Sequence, residues 1–438
     1  GPMTHRLSRR GLLAAGASAA ALSALPRTGF AADPWKDVRG LDLELLIWDG
    51  GAFVDGMMAA VQAEWSAVGG GRLSFRKSPF GELDRAVRSA NQGGVGPDVF
   101  LANAPNVITY KTLGLIEPVT DMFSQEDLDD FFPVVREGSL IDGEFYGPST
   151  NENGQALYYD RRLTERHGIE PPRSLADAWT WAQWLEVFQE IQAAERARRG
   201  TDRFWALYPN MGNTGLFFSG VYPRTAGAAG SKAWKMVSDD GMTTEGHLNS
   251  AESLAGLQLM QDIHHAHGIA PVSQQRDMFY NDQVAFFCGV PIYRNPILEA
   301  RPEIELATAP IPYIETPVIH TGSFAWLVNR QTAKMEEAKL FVKFMGSARG
   351  NDPIARGWSS LPIRRSMLAD RPEFLEGPMK LFADATLEWS ALRPKTPGFS
   401  ELDAIWARLE ADVVSGGEVK ALTDDAVRRI DAQLRRYA

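Results

Sequence analysis

A single cysteine in 438 residues, Cys288, has no partner for an internal disulfide, so the chain depends on its core. At roughly 400 residues beyond a leader, that core is large enough. Catalytic signatures are missing as well. There is no G-x-S-x-G elbow, no H-E-x-x-H, no Walker loop and no G-x-G-x-x-G. Gly93-Gly94-Val95-Gly96 lacks a following Lys-Ser/Thr and reads as a turn. Glycoside hydrolysis stays open, because it needs only two well-placed carboxylates. His264, His265 and His267 lack a cysteine or acidic partner at metal spacing. They read as a helix C-terminal turn, where a partly cationic ring suits the dipole. No metal and no cofactor is expected. Positive charge is also short: 45 Lys+Arg face 55 Asp+Glu, a net charge of −10. That balance disfavours nucleic acid and anionic lipid, whose affinities come from phosphate neutralisation and surface potential. Long apolar runs are absent too. The stretch over 14–25 is too short for a bilayer, which takes about 20 residues.

Residues 1–32 read as targeting sequence rather than fold. Gly1-Pro2 before Met3 has the form of a tag scar. Arg6 and Ser8-Arg9-Arg10-Gly11-Leu12-Leu13 lead into small apolar residues and a Phe30-Ala31-Ala32 cleavage site. The paired arginines resemble a twin-arginine export signal. Removing its four arginines leaves a charge near −14. No cysteine ends the signal, so no lipid anchor is expected, and the mature protein reads as periplasmic.

Further on, strands alternate with helices. Leu43-Glu44-Leu45-Leu46-Ile47-Trp48 reads as a buried strand, and Val54, Met57, Met58, Val61 and Trp65 as a helix face. Leu73-Ser74-Phe75-Arg76 and Asp98-Val99-Phe100-Leu101-Ala102 are the next strands. The pattern predicts an α/β fold with a parallel sheet and helices on both faces. Ligands of such sheets bind beyond the strands' carboxyl ends, which singles out Trp48, Asp49, Phe80 and Asn103. Thr180-Trp181-Ala182-Gln183 has capping-box form. The helix it opens is expected to bury Trp184, Leu185, Phe188 and Ile191 and to stop at Gly200.

Six segments together resemble the extracellular solute-binding proteins of carbohydrate ABC importers, the family that includes the maltose-binding protein. They are Gly96-Pro97-Asp98-Val99-Phe100 with Leu113-Gly114-Leu115-Ile116-Glu117-Pro118, Asp142-Gly143-Glu144-Phe145-Tyr146-Gly147-Pro148 with Ala156-Leu157-Tyr158-Tyr159-Asp160, and Gly168-Ile169-Glu170-Pro171-Pro172. The others are the run from Phe279 to Gly289, Ala309-Pro310-Ile311-Pro312 with Thr321-Gly322-Ser323, and Arg393-Pro394-Lys395-Thr396-Pro397. Asp160 stands where the family has asparagine, Asn281-Asp282 where it has glycine, and Gly322-Ser323 where it has a glycine pair. The resemblance implies a two-lobed periplasmic-binding-protein fold with a multi-strand hinge and a central ligand cleft. Lobe one is expected over 33–150 and 319–357, and lobe two over 151–318 and 358–438. It further implies a monomer that delivers a carbohydrate to permease subunits in the inner membrane.

A sugar offers apolar ring faces and a rim of hydroxyls, so it wants a flat aromatic and Asp, Glu, Asn, Gln or Arg partners. Of the twelve tryptophans, Trp48 and Trp358 fall at a strand end and an inferred crossover; Trp65, Trp181 and Trp184 fall on apolar helix faces and read as core. Asn151, Glu152 and Asn153 lie at the first crossover. Asn210, Asn213, Gly289, Tyr293, Gly322 and Ser323 complete the candidate cleft. Arg364 follows the third crossover, and a guanidinium there suits a sulfonate, phosphate or carboxylate. Three other readings stay open: a binder of polyols or anionic sulfo- or phospho-sugars, a periplasmic carbohydrate-active enzyme, and a sensor subunit.

Overall fold

The structure, a computed structural model, describes residues 32–438 except Asn213. The expected export signal and the Asn213 candidate therefore lie outside the described residues. Residues 32–37 make a short turn in which Asp33 accepts from the Trp35 N–H at 3.0 Å. Residues 38–438 form one compact unit.

The strands in chain order are β1 (Leu43–Trp48), β2 (Leu73–Ser78), β3 (Val99–Asn103), β4 (Ile116–Glu117), β5 (Leu140–Ile141), β6 (Glu144–Phe145), β7 (Ala156–Asp160), β8 (Trp205–Tyr208), β9 (Val284–Gly289), β10 (Leu306–Ala309), β11 (Ile319–His320), β12 (Phe324–Asn329) and β13 (Ser390–Ala391). Two larger sheets organise them, with orders β2-β1-β3-β12-β4 and β10-β7-β9-β8. This is the two-lobed α/β fold, one lobe around each sheet.

β1 is apolar at all but one position, as a strand covered on both faces must be. It pairs in parallel with β2 (Leu45↔Phe75) and β3 (Leu45↔Val99). The sheet is not wholly parallel, contrary to the sequence expectation. β12 runs antiparallel to β3, with Trp326 opposite Leu101. The physical reason is its entry point. The chain returns from the second lobe at the carboxyl end of β3, with Phe324 beside Asn103, and runs back down the sheet.

Helix Ala52–Ala67 buries Val54, Met57, Met58, Val61 and Trp65, the face read from spacing. Helix Trp181–Arg199 opens with both capping-box hydrogen bonds of Thr180 and Gln183, and ends on Gly200 at φ 65, a left-handed cap that favours glycine. It buries Trp181, Trp184, Phe188 and Ile191, whereas Leu185 is only half-buried against that core. The three histidines do follow helix Ala251–Asp262 in its C-terminal turn, but the charge expected of the ring fails at His264. His264 is buried, its Nδ1 donates to the Pro271 carbonyl, and burial pushes its pKa down to about 4. A neutral ring has no charge to offer a helix dipole.

Three chain segments meet where the sheets join. The first lies along β12, with Trp326 N–H donating to Pro148 O (3.0 Å) and Thr150 N–H to Phe324 O (2.8 Å). Gly147 permits that approach, since a Cβ there would sit 1.8 Å from the Trp326 carbonyl oxygen. Glu152 and Leu361 then exchange backbone hydrogen bonds at 3.0 and 2.9 Å, and β11 pairs with β13.

Candidate functional site

The ends of β3 and β12 present Asn103 and Phe324 to one side of a cavity of about 200 Å³; Trp48, at the end of β1, does not line it but stacks on Phe324 and Trp358, which do. Its lining includes Phe80, Asn103, Asn151, Asn153, Gly322, Ser323 and Trp358. The second lobe supplies Thr214, Phe217, Phe218, Val290, Ile292 and Tyr293, and Arg393 lies between.

Aromatic rings build one wall. Trp48 stacks on Trp358, with centroids 5.3 Å apart and planes inclined by 19°. Phe324 also stacks on Trp48, at 6.1 Å, and Phe80 meets Trp48 and Phe324 edge-on at 6.0 and 5.7 Å. Trp358 caps helix Ala348–Gly357 and receives the edge of Phe53 at 5.2 Å. Phe80 is 54 % exposed and Phe53 42 %. Apolar rings left open beside a cavity cost free energy unless something covers them. Opposite, Gly289 brings Tyr293 close, because a Cβ there would lie 2.9 Å from the Tyr158 ring and 3.1 Å from that of Tyr293. The Tyr158 hydroxyl donates to Val290 O at 2.9 Å and pins the same turn.

The polar floor comes from the crossovers. Asn151 donates to Ser360 Oγ at 2.9 Å and accepts from Thr150 Oγ1 at 2.8 Å, so it orders the hinge. Asn153 donates to Gly322 O at 2.7 Å. Thr321 Oγ1 donates to Glu152 at 2.8 Å while accepting from the Asn153 and Gly154 N–H groups. Glu152 is buried, its Oε1 has no partner, and burial pushes its carboxyl up to about 7. It faces a smaller cavity behind the hinge, of about 40 Å³, which Arg393 also lines.

Arg393 is the cation of the cleft. It donates to Asn103 Oδ1 at 3.3 Å and lies over the Phe217 ring at 5.4 Å. Burial pulls its pKa down to about 10, partly offset by Asp403 and Glu152, so it stays charged at neutral pH. The peptide before it is anchored by Arg224, whose Nη1 donates to Leu392 O at 2.5 Å and to His320 Nε2 at 2.9 Å. His320 Nδ1 donates in turn to Phe217 O at 3.0 Å. One buried relay thus fixes both Arg393 and the helix carrying Phe217.

Arg364, the arginine selected from sequence, is elsewhere. Its guanidinium pairs with Asp127 at 3.0 Å and Asp130 at 3.5 Å, donates to Gly346 O and covers the Phe131 ring. Those acids hold it on the flank of the first lobe. Asn210 does not line the cleft; its Nδ2 donates to Cys288 O at 3.1 Å and fastens the end of β8 to β9. Asp49 is exposed and accepts from the Gly51 N–H at 3.3 Å, a turn contact. Phe217, Phe218, Phe324 and Arg393 were missed as site residues. Arg393 was within a quoted motif, but nothing in its spacing marked it as facing ligand. Phe217-Phe218 reads like any apolar pair.

Residues 58–379 match the family model for bacterial extracellular solute-binding proteins. A binding protein of Brucella abortus is 22 % identical over 391 residues, 88 % of this chain and 90 % of that protein. The maltotriose-binding protein of Pyrococcus abyssi is 22 % identical over 379 residues, 83 % of this chain and 74 % of that one. Among solved structures, an ABC substrate-binding protein of Listeria monocytogenes in complex with cycloalternan superposes with TM-score 0.72 at 17 % identity, covering 90 % of this chain and 98 % of that one.

Proposed function

The chain belongs to the family of bacterial extracellular solute-binding proteins, and from that premise we propose that it is the substrate-binding component of an ABC importer for a carbohydrate. The observation that carries this reading is the aromatic wall of Trp358, Phe80 and Phe324, with Trp48 stacked on it, facing Asn103, Asn153 and Arg393 across one cavity. Rings take the apolar faces of a sugar, and the amides and guanidinium take its hydroxyls. Relatives that bind maltotriose or cycloalternan support the same ligand class. Capture on this reading is closure of the two lobes over the sugar.

We assign lobe one to 33–150 and 319–357, and lobe two to 151–318 and 358–438. The place of β12 in the first sheet supports the return at 319. The segment around 364 packs instead on lobe one through its Phe131–Arg364 bridge. Export by the twin-arginine route to the periplasm, and action as a monomer, complete the proposal. Among the described residues no helix is long and apolar enough to cross a membrane. The relatives are binding proteins, and we propose binding without turnover here too.

A thermal-shift panel of neutral mono- and oligosaccharides tests the reading, because a ligand of the native state raises the midpoint by mass action. A saturable shift with a sugar recovered intact is expected. No shift with any carbohydrate overturns the ligand class, and steady loss of the sugar overturns the binding-only role.

A further inference from the structure

Beside the cleft lies a further cavity, of about 390 Å³, whose lining is different in kind. Arg294, Arg356 and Arg371 line it together with Asn295, Ser359 and Glu373. We propose that this cavity binds an oxyanion — a phosphate, sulfate or carboxylate group — that ties the two lobes together next to the sugar site.

The first argument is unsatisfied donors. Arg371 is 3 % exposed. Its Nε meets Glu373 at 2.7 Å and its Nη2 donates to Ser360 O at 2.9 Å, but its Nη1 is buried with no acceptor. Arg294 Nε is likewise buried without a partner. An orphaned N–H on a charged group is costly in the interior, and an oxyanion offers an acceptor oxygen to each of these two guanidiniums. The second argument is charge. Glu373 pairs with Arg371, and Asp352 holds Arg356 at 2.9 Å, while Arg294 has no carboxylate among the described residues. Three cations and two acids leave one positive charge for an anion to neutralise.

The third argument is position. Arg294 opens helix Arg294–Ala300, which packs with the helix ahead of β9 in the second lobe. Arg356 is on helix Ala348–Gly357, which packs on helix Ala52–Ala67 in the first. Asn295 Nδ2 reaches Ser359 Oγ at 3.3 Å, at the crossover that follows Arg356 and its helix. Tyr293 and Trp358, the immediate neighbours of Arg294 and Ser359, line the sugar cleft. An anion here therefore favours the closed arrangement, whether it is a free ion or the charged substituent of the bound carbohydrate.

The test titrates sodium sulfate and inorganic phosphate against sodium chloride at matched ionic strength, following the melting midpoint of wild type, Arg294→Gln and Arg356→Gln. Arg371 is left intact because it also holds Ser360. A saturable shift in wild type, with at least a tenfold weaker midpoint concentration in Arg294→Gln, supports the site. So does saturation by a phospho- or sulfo-sugar but not by the free ions, if Arg294→Gln abolishes it, and that outcome identifies the anion as part of the ligand. Shifts no larger than with chloride for every anion, or equal in wild type and both variants, overturn the proposal. Neutral-sugar binding is read in the same variants and is expected to persist, so failure here leaves the carbohydrate reading standing.

Discussion

Replacing Trp358 by alanine removes one platform of the aromatic wall. In the structure its indole is half-buried, held by the Trp48 face at 5.3 Å and the Phe53 edge at 5.2 Å. A sugar ring lying on the remaining face covers roughly 60 Å² of the 150–250 Å² an aromatic presents. At about 25 cal/mol per Å² that is about 1.5 kcal/mol, or about tenfold in affinity. The loss of the Trp48 and Phe53 contacts acts on stability instead, at about 0.5–1.5 kcal/mol for each pair. Titration calorimetry separates the two effects when the variant's melting temperature is measured alongside. Trp358→Ala is expected to weaken binding at least tenfold, and Trp358→Phe to recover most of that loss because a flat ring remains. Unchanged affinity in a folded Trp358→Ala protein refutes the stacking argument.

Other consequences follow from burial and charge. Glu152 has a native pKa near 7 against a usual 4.5, so the native state binds the extra proton and stability falls as pH rises from about 4.5 through about 7. Glu152→Gln is expected to flatten the decline of melting temperature across that window; parallel curves contradict it. Glu195 is the reverse case. Burial raises its pKa, but hydrogen bonds from Arg198, His167, Arg199 and Arg166 outweigh that and hold it well below the usual value, so its contribution is present at neutral pH and lost on acidification. Glu195→Ala is expected to cost about 3 kcal/mol in urea unfolding, the low end for a broken buried pair, since Arg166 and Arg198 are 43 % and 44 % exposed and rehydrate. Gly147→Ala drives a Cβ into the Trp326 carbonyl and is expected to cost about 1–3 kcal/mol by the same assay.

How much was legible follows the range of the interactions involved. Periodicity is local, so the buried faces of Ala52–Ala67 and Trp181–Arg199 could be read directly, and so could the strand ends that carry Trp48 and Asn103. Asn151, Asn153 and Trp358 were reached through the order of family-like segments, because their meeting depends on the hinge closing a long path between distant segments. Sequence could not say which arginine faces the cleft. Arg364 and Arg393 have equal chemistry, and only the acids Asp127 and Asp130 near one, and the Arg224–His320 relay behind the other, decide their places. The antiparallel β12 was illegible for the same reason, since its direction is set by where the chain re-enters the lobe.

The most direct test of the account is small-angle scattering of the mature protein with and without the carbohydrate that gives the largest thermal shift. Capture by closure predicts a smaller radius of gyration at saturating sugar, and no such change in Trp358→Ala at the same concentration where its site is unfilled. Tight binding with an unchanged radius would contradict closure over the aromatic cleft.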